Sequence, residues 1–505
     1  MTASRLLLAL VFTLGFSLPG FAQEHQGKTE EGSEQRPQRS GPGVLSLLPP
    51  DAVTEHAVDA HSRRIAYTAT AGTLPIMDQS GERKASIFYV AYVAKDADSA
   101  SRPVTFVFNG GPGAASAYLH LGLVGPQVLD FGPTGRDGAA ARLRDNPDTW
   151  LDFTDLVLVD AVGTGWSRTA KPDDTTFYGV KSDAQVMAKV VALYLARNGR
   201  TASPKYLLGE SYGGFRAIKV ARTLQQDQGI VVGGIVMASP LIEGGYVFGS
   251  GDRHSLGCAL QLPSVVAAEL AHNNAFSPQA IADAERFALS DYLTTLAGSP
   301  PQGEAARAFY ARVAGMTGLP ADLVARSRGC VREAYLKHRR QAEREVLSLY
   351  DATFASPDPF PESDSRHGSD PVLDGFTRAL GGAFVGYARN QLGFKTDMTY
   401  MVLNGEVNGK WEWERGSRGS PPSATDDIRQ FLSLNPSFRL LVSHGYSDLV
   451  TPYAVSRYVI DHLPELGEPG RVQLKVYSGG HMFYWATRSR LDFTNDAREF
   501  YQAVQ

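Results

Sequence analysis

The distribution of apolar residues changes character several times along the chain. Between about residues 55 and 95, apolar and polar residues alternate in two stretches, RRIAYTATAG and ASIFYVAYVAK, which flank the turn-rich segment MDQSGERK. Alternation with a period of two is typical of strands that bury one face, and the turn residues between them allow the chain to reverse. The pattern predicts an antiparallel β-meander at the start of the folded region.

The following part of the chain contains short, continuously apolar runs. They include VTFVF, LVLVDAVG, KYLLG, GIVMAS, FRLLVSHG and RVQLKVYSG, and most of them precede helical stretches such as SDAQVMAKVVALYLARNG. Continuous apolar strands that alternate with helices are typical of a mostly parallel sheet covered on both faces. The sequence therefore predicts an α/β fold with helices on both faces of a mostly parallel central sheet.

Strand patterns are absent between residues 244 and 385. Long helical stretches replace them, and one begins with Ser277 as N-cap and Pro278 at the first helical position. The sheet pattern then resumes. We therefore expect an all-helical cap insertion at 244–385, which divides one core into a first part at 51–243 and a second part at 386–505.

The N-terminal region has the layout of an export signal. An apolar run at 6–18 is followed by the small residues Gly20 and Ala22, which predicts a signal peptide at 1–22. Residues 23–50 are polar without periodicity, and we expect a disordered leader there. No stretch reaches the roughly 20 apolar residues of a membrane helix. We therefore expect an exported protein, periplasmic or extracellular, without a membrane span.

Charge and cysteine content narrow the function classes. The 505-residue chain has a formal net charge of −4, so no overall basic field favours nucleic acid as a partner. Its two cysteines, Cys258 and Cys330, have no CxxC neighbours, which disfavours zinc. We expect no metal and no cofactor. In an oxidising compartment the two cysteines can form a disulfide, and two buried free thiols are the alternative.

Ser211 is the candidate nucleophile. It is the central residue of Gly209-Glu210-Ser211-Tyr212-Gly213, which fits the pattern G-x-S-x-G and lies between an apolar strand and a helical stretch. A sharp turn between strand and helix lifts the serine oxygen clear of the sheet, and the glycines relieve crowding at that turn. A purely structural turn serine is the alternative.

Two residues further along the chain can activate this serine. Asp448 and His481 each follow an apolar strand, so both lie at the sheet edge where Ser211 emerges. The order serine, acid, histidine is that of α/β-hydrolases. His444 is the alternative base, but it lies within a strand end and precedes the acid, so a packed core histidine is the preferred interpretation.

A glycine-rich loop, NGGPG at residues 109–113, follows the strand VTFVF. A hydrolase needs two backbone N–H groups directed at the negative charge that develops on the substrate oxygen. Tyr212, which follows the nucleophile, can supply one, and the glycine loop can supply the other because glycine permits close approach of the backbone. A dinucleotide-binding loop is the alternative, although GPGAAS ends in Ser116 rather than glycine.

The motifs NGGPG and GESYGG, an aspartate after a core strand, and GGHM occur in the order of the serine carboxypeptidase family, which this chain resembles from about residue 65 to its end. The long leader and the single candidate disulfide suggest a bacterial exported branch. The resemblance implies an α/β-hydrolase fold and release of C-terminal residues from peptides through an acyl-enzyme on Ser211. It implies peptide substrates with a free C-terminus and, by family analogy, a homodimer.

The resemblance also implies roles for individual residues. By position, Gly111 and Tyr212 supply the oxyanion N–H groups, and the substrate-binding residues are Asn109, Gly110, Glu210 and Met482, the last lining the pocket of the leaving residue. Two carboxylates in one dry site cannot both ionise favourably. We therefore expect Glu210 to bind the substrate carboxylate as the neutral acid and activity to favour acidic pH. A structurally paired or exposed Glu210 is the alternative.

Four positions depart from the family or need separate interpretation. Leu123 stands where the family commonly has a second glutamate, which leaves an acyltransferase or esterase with the same triad as the alternative function. A catalytically silent binding protein on the same fold is the third function considered, and the intact triad argues against it. Ala114 replaces a common cysteine. The two tryptophans in KWEWER, Trp411 and Trp413, are interpreted as packing at an edge strand, with substrate contact as the alternative.

Overall fold

The computed structural model describes residues 43–504, except for residues 62, 96, 133–137, 249–253 and 414–420. The predicted signal peptide and most of the predicted leader lie outside the described residues. The strands are β1 (Ala52–Asp59), β2 (Arg64–Met77), β3 (Arg83–Ala94), β4 (Val104–Phe108), β5 (Gln127–Asp130), β6 (Arg142–Asp145), β7 (Asp155–Val159), β8 (Arg168–Thr169), β9 (Lys205–Glu210), β10 (Gly234–Ala238), β11 (Glu345–Leu347), β12 (Ala355–Pro357), β13 (Arg439–Gly445) and β14 (Val472–Tyr477).

The α-helices are α1 (Ala117–Leu119), α2 (Val180–Arg197), α3 (Tyr212–Gln228), α4 (Gly244–Val247), α5 (Ser255–His272), α6 (Pro278–Phe287), α7 (Leu293–Ala297), α8 (Gly303–Thr317), α9 (Ala321–Arg326), α10 (Arg332–His338), α11 (Pro371–Asn390), α12 (Gly405–Gly409), α13 (Thr425–Leu434), α14 (Tyr453–Asp461) and α15 (Thr487–Val504). Short 3₁₀ helices occur at Val44–Leu47, Gly138–Ala140, Trp150–Asp152, Gln341–Glu343 and Phe483–Trp485, and π-helical turns at His120–Val124 and Ala288–Tyr292.

The main sheet has the strand order β1-β2-β3-β7-β4-β9-β10-β13-β14, with β8 paired to β3. The strands β1, β2 and β3 form an antiparallel meander, and β3 joins the rest of the sheet through an antiparallel pairing with β7. From β7 to β14 every neighbouring pair is parallel. The predicted meander and the predicted mostly parallel sheet are both confirmed.

The central strands are buried because both faces of the sheet carry helices. Strands β4, β7 and β10 are buried along their whole length. Successive residues point to opposite faces, so Leu207 belongs to the apolar cluster that contains α2 and α3, and Leu208 to the cluster that contains α11 and α15. Each such large apolar side chain contributes about 1.5–3 kcal/mol on burial.

The folded region begins earlier than residue 51. Residues Val44–Leu47 form a 3₁₀ helix, and the side chains of Val44 and Leu48 pack against the cluster on the α11 face. Thr396 donates a hydrogen bond to the Leu47 carbonyl oxygen at 2.9 Å. The leader was expected to extend to residue 50, and these apolar contacts are the reason that its last residues are instead part of the fold.

The inserted segment forms its own apolar cluster. Helices α5 to α10 bury residues such as Leu262, Phe287 and Tyr335 against one another. Cys258 in α5 and Cys330 just before α10 form a disulfide with a Cα–Cα distance of 5.4 Å, which joins two ends of this cluster across 72 residues of sequence.

Two features of this segment differ from the expected all-helical insertion. Strands β11 and β12 form an antiparallel hairpin, so the expectation that the segment is entirely helical is corrected. The hairpin is held by Asp370, whose carboxylate accepts hydrogen bonds from the Ser348 hydroxyl at 2.6 Å and the Leu349 N–H at 2.8 Å. Helix α11, most of which lies before the expected boundary at residue 385, packs Phe376, Phe384 and their neighbours into the cluster on the sheet.

Asp155 at the start of β7 is the centre of a buried ionic network. Its carboxylate accepts hydrogen bonds from Arg102 Nε at 2.7 Å, from Arg200 Nη1 at 2.5 Å and from the Ala94 N–H at 3.0 Å. The carboxylate and the Arg200 guanidinium are almost fully buried. The network therefore ties β3, β7 and the segments that lead into β4 and β9 at one end of the sheet.

We predict that Asp155→Ala lowers the free energy of unfolding by about 3–5 kcal/mol, because it leaves buried guanidinium groups without their counter-charge. Urea denaturation monitored by far-UV circular dichroism measures the change. The matched control is Asp59→Ala, which removes an ion pair to Arg64 in which both side chains are more than half exposed. The control should change the free energy of unfolding by less than about 0.5 kcal/mol, and equal effects of the two substitutions would contradict the prediction.

Candidate active site

Ser211 occupies a sharp turn between β9 and α3. Its backbone has φ 59° and ψ −124°, a conformation that non-glycine residues rarely adopt and that costs about 1–3 kcal/mol. The turn is fixed by hydrogen bonds: the Ser211 N–H donates to the Ala238 carbonyl at 2.9 Å, and its own carbonyl accepts from the Leu241 N–H at 3.1 Å. Ser211 is therefore held at the carboxyl edge of the parallel strands.

The glycines around Ser211 are required by close backbone contacts. A Cβ atom on Gly209 would overlap the carbonyl oxygen of Gly213, and one on Gly213 would overlap the carbonyl oxygen of Phe108 at the end of β4. A Cβ atom on Gly110 would lie 2.7 Å from the Tyr212 backbone nitrogen. The turn at Ser211 and the loop that follows β4 therefore pack together without intervening side chains.

Asp448 and His481 form a buried pair. His481 Nδ1 lies 2.8 Å from Asp448 Oδ2, with His481 3% exposed and Asp448 fully buried. Asp448 Oδ1 accepts hydrogen bonds from the N–H groups of Val450 at 2.8 Å and Thr451 at 3.0 Å. Burial acts against the charged imidazolium, but the Asp448 carboxylate outweighs it, so the pKa of His481 is raised. The histidine is thus oriented and made more basic.

Ser239 at the end of β10 links the histidine to the serine turn. Its hydroxyl donates to the His481 carbonyl oxygen at 2.8 Å, while the preceding residue, Ala238, accepts from the Ser211 N–H. Thr451 Oγ1 lies 2.9 Å from the Ser239 carbonyl oxygen and 2.8 Å from Asp448 Oδ2. Ser239 and its neighbour Ala238 therefore connect the turns that carry Ser211, Asp448 and His481.

His444, the alternative base, lies within β13 and is fully buried. Its Nε2 lies 2.8 Å from the Ser456 hydroxyl, and burial lowers its pKa to about 4. It is placed as a neutral core histidine, in agreement with the preferred interpretation of the sequence.

Glu210 and Asn109 form a buried pair beside the nucleophile. The Asn109 side-chain amide donates to Glu210 Oε2, and its Oδ1 accepts from the Leu119 N–H at 3.1 Å. Burial raises the pKa of Glu210 to about 7, against smaller opposing effects of His481, Tyr484 and Asn109. The Tyr484 hydroxyl is near enough to influence this pKa, although no described residue gives it a hydrogen bond of good geometry. Below neutral pH the Glu210 carboxyl is therefore protonated.

The loop at 109–113 passes directly over the start of α3. Gly111 has φ 99° and precedes Pro112 through a cis peptide bond. The loop is held from the other side by α12, since the Asn404 N–H donates to the Gly113 carbonyl oxygen at 2.8 Å. With Tyr212 at the first position of α3, the arrangement can direct the N–H groups of Gly111 and Tyr212 at one oxygen atom.

Leu123 lies in the π-helical turn after α1 and is fully buried in the cluster on the α11 face. A carboxylate at this position would lose its hydration without a compensating charge nearby, so the surrounding apolar packing suits leucine. Of the two residues expected to bind the substrate carboxylate, Asn109 and Glu210, Glu210 is therefore the one with a carboxyl group.

A cavity of about 360 Å³ adjoins the histidine. Gly479, Gly480 and Met482, which flank His481, line it together with Tyr350 and Asp351 from the segment before β12. The backbone N–H of His481 donates to the Tyr350 carbonyl oxygen at 2.6 Å. The Tyr350 ring stands edge-on to the imidazole at a centroid distance of 5.4 Å. Met482 thus lies in a cavity wall, and its role in the pocket of the leaving residue stays a prediction. The contribution of residues 350 and 351 was missed, because no local pattern marks it.

Trp411 and Trp413 follow α12 rather than forming an edge strand, so the strand interpretation is corrected. Their rings stand edge-on to Tyr212 at centroid distances of 5.2 Å and 5.4 Å. The chain that leaves α12 crosses the start of α3, and this path brings both indoles against the residue after the nucleophile. The two tryptophans therefore pack against Tyr212 from the segment after α12 and not from an edge strand.

The fold and the site together define an α/β-hydrolase fold in which a strained serine, a buried aspartate–histidine pair and a glycine loop meet at the carboxyl edge of the sheet. The sequence profile of the family described as serine carboxypeptidase matches residues 67–237 of this chain. The matched region contains the loop at 109–113 and the turn at Ser211.

Two proteins of Arabidopsis thaliana are similar over part of their length. Serine carboxypeptidase-like 44 is 32% identical over 152 residues, which cover 30% of this chain and 29% of that protein. Serine carboxypeptidase-like 42 is 32% identical over 131 residues, which cover 26% of each. The chain therefore aligns with less than a third of the length of these relatives.

Among solved structures, the crystal structure of Kex1, a prohormone-processing carboxypeptidase from Saccharomyces cerevisiae, is similar with a TM-score of 0.56. The match covers 86% of this chain and 91% of the other at 14% sequence identity. At that identity the similarity establishes the fold.

We predict that Gly209→Ala abolishes activity or prevents folding, since the added methyl group would overlap the Gly213 carbonyl oxygen and open the turn at Ser211. Hydrolysis of a p-nitrophenyl ester, together with the thermal midpoint, reports both effects. The control is Gly382→Ala, because this exposed glycine within α11 has open space around its Cα. That substitution should keep activity and stabilise the helix by up to about 1 kcal/mol. Full activity of Gly209→Ala would contradict the prediction.

Proposed function

We propose that the protein is a serine carboxypeptidase that releases C-terminal residues from peptides through an acyl-enzyme on Ser211. The observation that carries this proposal is the Asn109–Glu210 pair, in which a buried carboxyl group with its pKa raised to about 7 directly precedes Ser211. Such a pair can donate hydrogen bonds to a carboxylate. The match to the serine carboxypeptidase profile over residues 67–237 supports the same assignment.

The triad residues have distinct roles in the proposed reaction. The Ser211 oxygen attacks the scissile carbonyl carbon, and His481 takes the serine proton and passes it to the leaving amine. Water then attacks the acyl-enzyme with His481 again as base, and Ser211 is released. Asp448 holds the imidazole through Nδ1 and stabilises its charged form. The N–H groups of Gly111 and Tyr212 stabilise the negative charge on the carbonyl oxygen in both steps.

Recognition of the substrate carboxylate explains why an acid precedes the nucleophile. A neutral Glu210 donates a hydrogen bond to the carboxylate, whereas an ionised Glu210 would repel it in a site with little water. Asn109 provides a second donor, and Gly110 provides the space for the backbone to approach. The requirement for a protonated Glu210 predicts that peptides with a free C-terminus bind best on the acidic side of neutrality.

An esterase or acyltransferase with the same triad was the alternative, because Leu123 replaces a second glutamate. It is not favoured, since the Asn109–Glu210 pair is complete without that residue. We further propose that residues 1–22 direct export to the periplasm or the extracellular space, that the chain belongs to a bacterial branch, and that it forms a homodimer. No helix within the described residues is long and apolar enough to cross a membrane.

We predict that the protein cleaves blocked dipeptides with a free C-terminus far faster than the same dipeptides with an amidated C-terminus. Chromatographic detection of the released residue at pH 5.5 measures both rates. Ser211→Ala should lower kcat by about 10⁴-fold or more, because the acyl-enzyme cannot form. Equal rates on the amides, or activity on p-nitrophenyl esters alone, would refute carboxypeptidase action and favour the esterase.

We predict that KM for a peptide with a free C-terminus rises above pH 7, by up to tenfold for each pH unit, as the Glu210 carboxyl ionises. In Glu210→Gln the side chain stays neutral and can still donate a hydrogen bond, so this rise should disappear. Steady-state kinetics from pH 5.5 to 8.5 measure the effect, and a p-nitrophenyl ester without a carboxylate is the control substrate. A wild-type KM that does not change through pH 7 would contradict the role of Glu210.

A further inference from the structure

The cavity beside His481 contains one carboxylate whose charge no basic side chain of the described residues balances. Three of the charged residues that line it are paired: Asp130 with Arg144 at 2.9 Å, and Arg490 with the buried Asp148 at 2.9 Å. Asp351 lines the same cavity and has no ion pair among the described residues. The buried Asp148 behind the wall already pairs with Arg490, so Asp351 is the one carboxylate of the lining without a paired cation among the described residues.

Hydrogen bonds to one carboxylate oxygen of Asp351 fix its orientation, and the described residues donate none to the other oxygen. Its Oδ1 accepts hydrogen bonds from the Thr353 N–H at 3.0 Å, the Thr353 hydroxyl at 2.6 Å and the Ser447 hydroxyl at 2.7 Å. No described residue donates to its Oδ2. The side chain is partly exposed, so this second oxygen is available to a molecule in the cavity. A carboxylate that is oriented in advance loses little conformational entropy when it binds a ligand.

The segment that carries Asp351 lies between the two loops of the buried aspartate–histidine pair. The Ala352 N–H donates to the Ser447 carbonyl oxygen at 3.0 Å, and the Leu449 N–H donates to the Leu349 carbonyl oxygen at 3.2 Å, on either side of Asp448. The Tyr350 carbonyl oxygen accepts a hydrogen bond from the backbone N–H of His481. Asp351 is therefore fixed relative to the imidazole that protonates the leaving amine.

The position of the cavity identifies the part of the substrate that it can hold. The leaving residue must lie against His481 when its amine takes the proton, and the cavity is walled by Gly479, Gly480 and Met482 on either side of that histidine. The indoles of Trp411 and Trp413 contact Tyr212 and line no part of this cavity. A leaving residue held against His481 can therefore reach this cavity.

We propose that Asp351 is a specificity-determining residue that selects peptides whose C-terminal residue has a cationic side chain, lysine or arginine. This inference rests on the proposed carboxypeptidase function and names its substrate class. The bound ammonium or guanidinium group would pair with Asp351 Oδ2, while Asn109 and Glu210 hold the terminal carboxylate. Burial raises the pKa of Asp351, and a cation in the cavity would oppose that effect by stabilising the charged form.

Arg490 offers the contrary selectivity, for an acidic leaving residue. Its Nη2 is buried and has no hydrogen-bond partner among the described residues. Its charge, however, is already neutralised by Asp148, whereas the charge of Asp351 is not. The electrostatic balance of the wall therefore favours a cation, and the two assignments predict opposite substrate preferences.

The test is a panel of blocked dipeptides with one acyl residue and the C-terminal residues lysine, arginine, norleucine, glutamate and phenylalanine. Norleucine is the neutral analogue of lysine, so the ratio of their kcat/KM values isolates the charge. The wild-type protein should prefer lysine over norleucine by about tenfold, which corresponds to about 1.4 kcal/mol. A ratio near one, or a preference for glutamate, overturns the proposal.

Asp351→Asn assigns the preference to this side chain. The amide oxygen can still accept the hydrogen bonds of Thr353 and Ser447, so the segment should keep its position, while the lysine-to-norleucine ratio should fall to about one. The control is Asp461→Asn, which removes the same charge from an exposed residue at the end of α14 that does not line the cavity. The control should keep the wild-type ratio, and an unchanged ratio in Asp351→Asn overturns the proposal.

Failure of this inference is distinguishable from failure of the proposed function. If the wild-type protein cleaves none of the five free acids, the carboxypeptidase function itself is refuted. If it cleaves norleucine and phenylalanine peptides as fast as lysine peptides, the function stands and the role of Asp351 is refuted. If Asp351→Asn does not fold, Asp351→Ser takes its place in the same panel, and a wild-type ratio near one overturns the proposal without any variant.

Discussion

Close packing of bare backbone at Gly110, Gly209 and Gly213 is the constraint on which the site depends. At each position a single Cβ atom would overlap or crowd another part of the main chain, so the turn at Ser211 and the loop after β4 can meet only without side chains. This contact holds the serine in a conformation that costs free energy locally. The cost is offset by the burial of the strands that end there, since β4, β9 and β10 deliver the loop, the serine and Ser239 to one edge. The large apolar core of the sheet thus stabilises a small strained region.

The second feature of the site is the coupling between its buried ionisable groups. Glu210 and His481 influence each other: the histidine lowers the pKa of the glutamate, and the glutamate raises that of the histidine. In the proposed function these are the group that binds the substrate carboxylate and the group that activates Ser211, so the protonation state of each affects the other. Asp448 favours the proton on His481, while burial of Glu210 favours the proton on the carboxyl group. The proposed recognition of a free C-terminus and the proposed activation of Ser211 are accordingly coupled through electrostatic interaction.

Local patterns in the sequence were sufficient to predict the meander and the parallel strands and to select candidate residues that follow strand ends. Alternation predicted β2 and β3, continuous apolar runs predicted the parallel strands, and chain order with strand ends selected Ser211, Asp448 and His481. The pairing of Asp351 with Ser447 and the hairpin of β11 and β12 depend on contacts between distant segments, which no periodicity records. Helix α11 shows the same difficulty, because its amphipathic pattern fits packing on the insertion as well as on the sheet. The path of Trp411 and Trp413 over α3 is also set by tertiary structure.

The separation of the site residues along the chain has a consequence for the time at which activity can appear. His481 follows Ser211 by more than half of the chain, and β14, which positions it, pairs with β13 beyond the whole inserted segment. A growing polypeptide that has folded as far as β10 has a serine turn and a glycine loop but no base. The proposed hydrolytic activity can therefore arise only after β14 has joined the sheet. Under the proposed function, the late pairing of β14 delays activity, and neighbouring proteins are not exposed to a working hydrolase during that time.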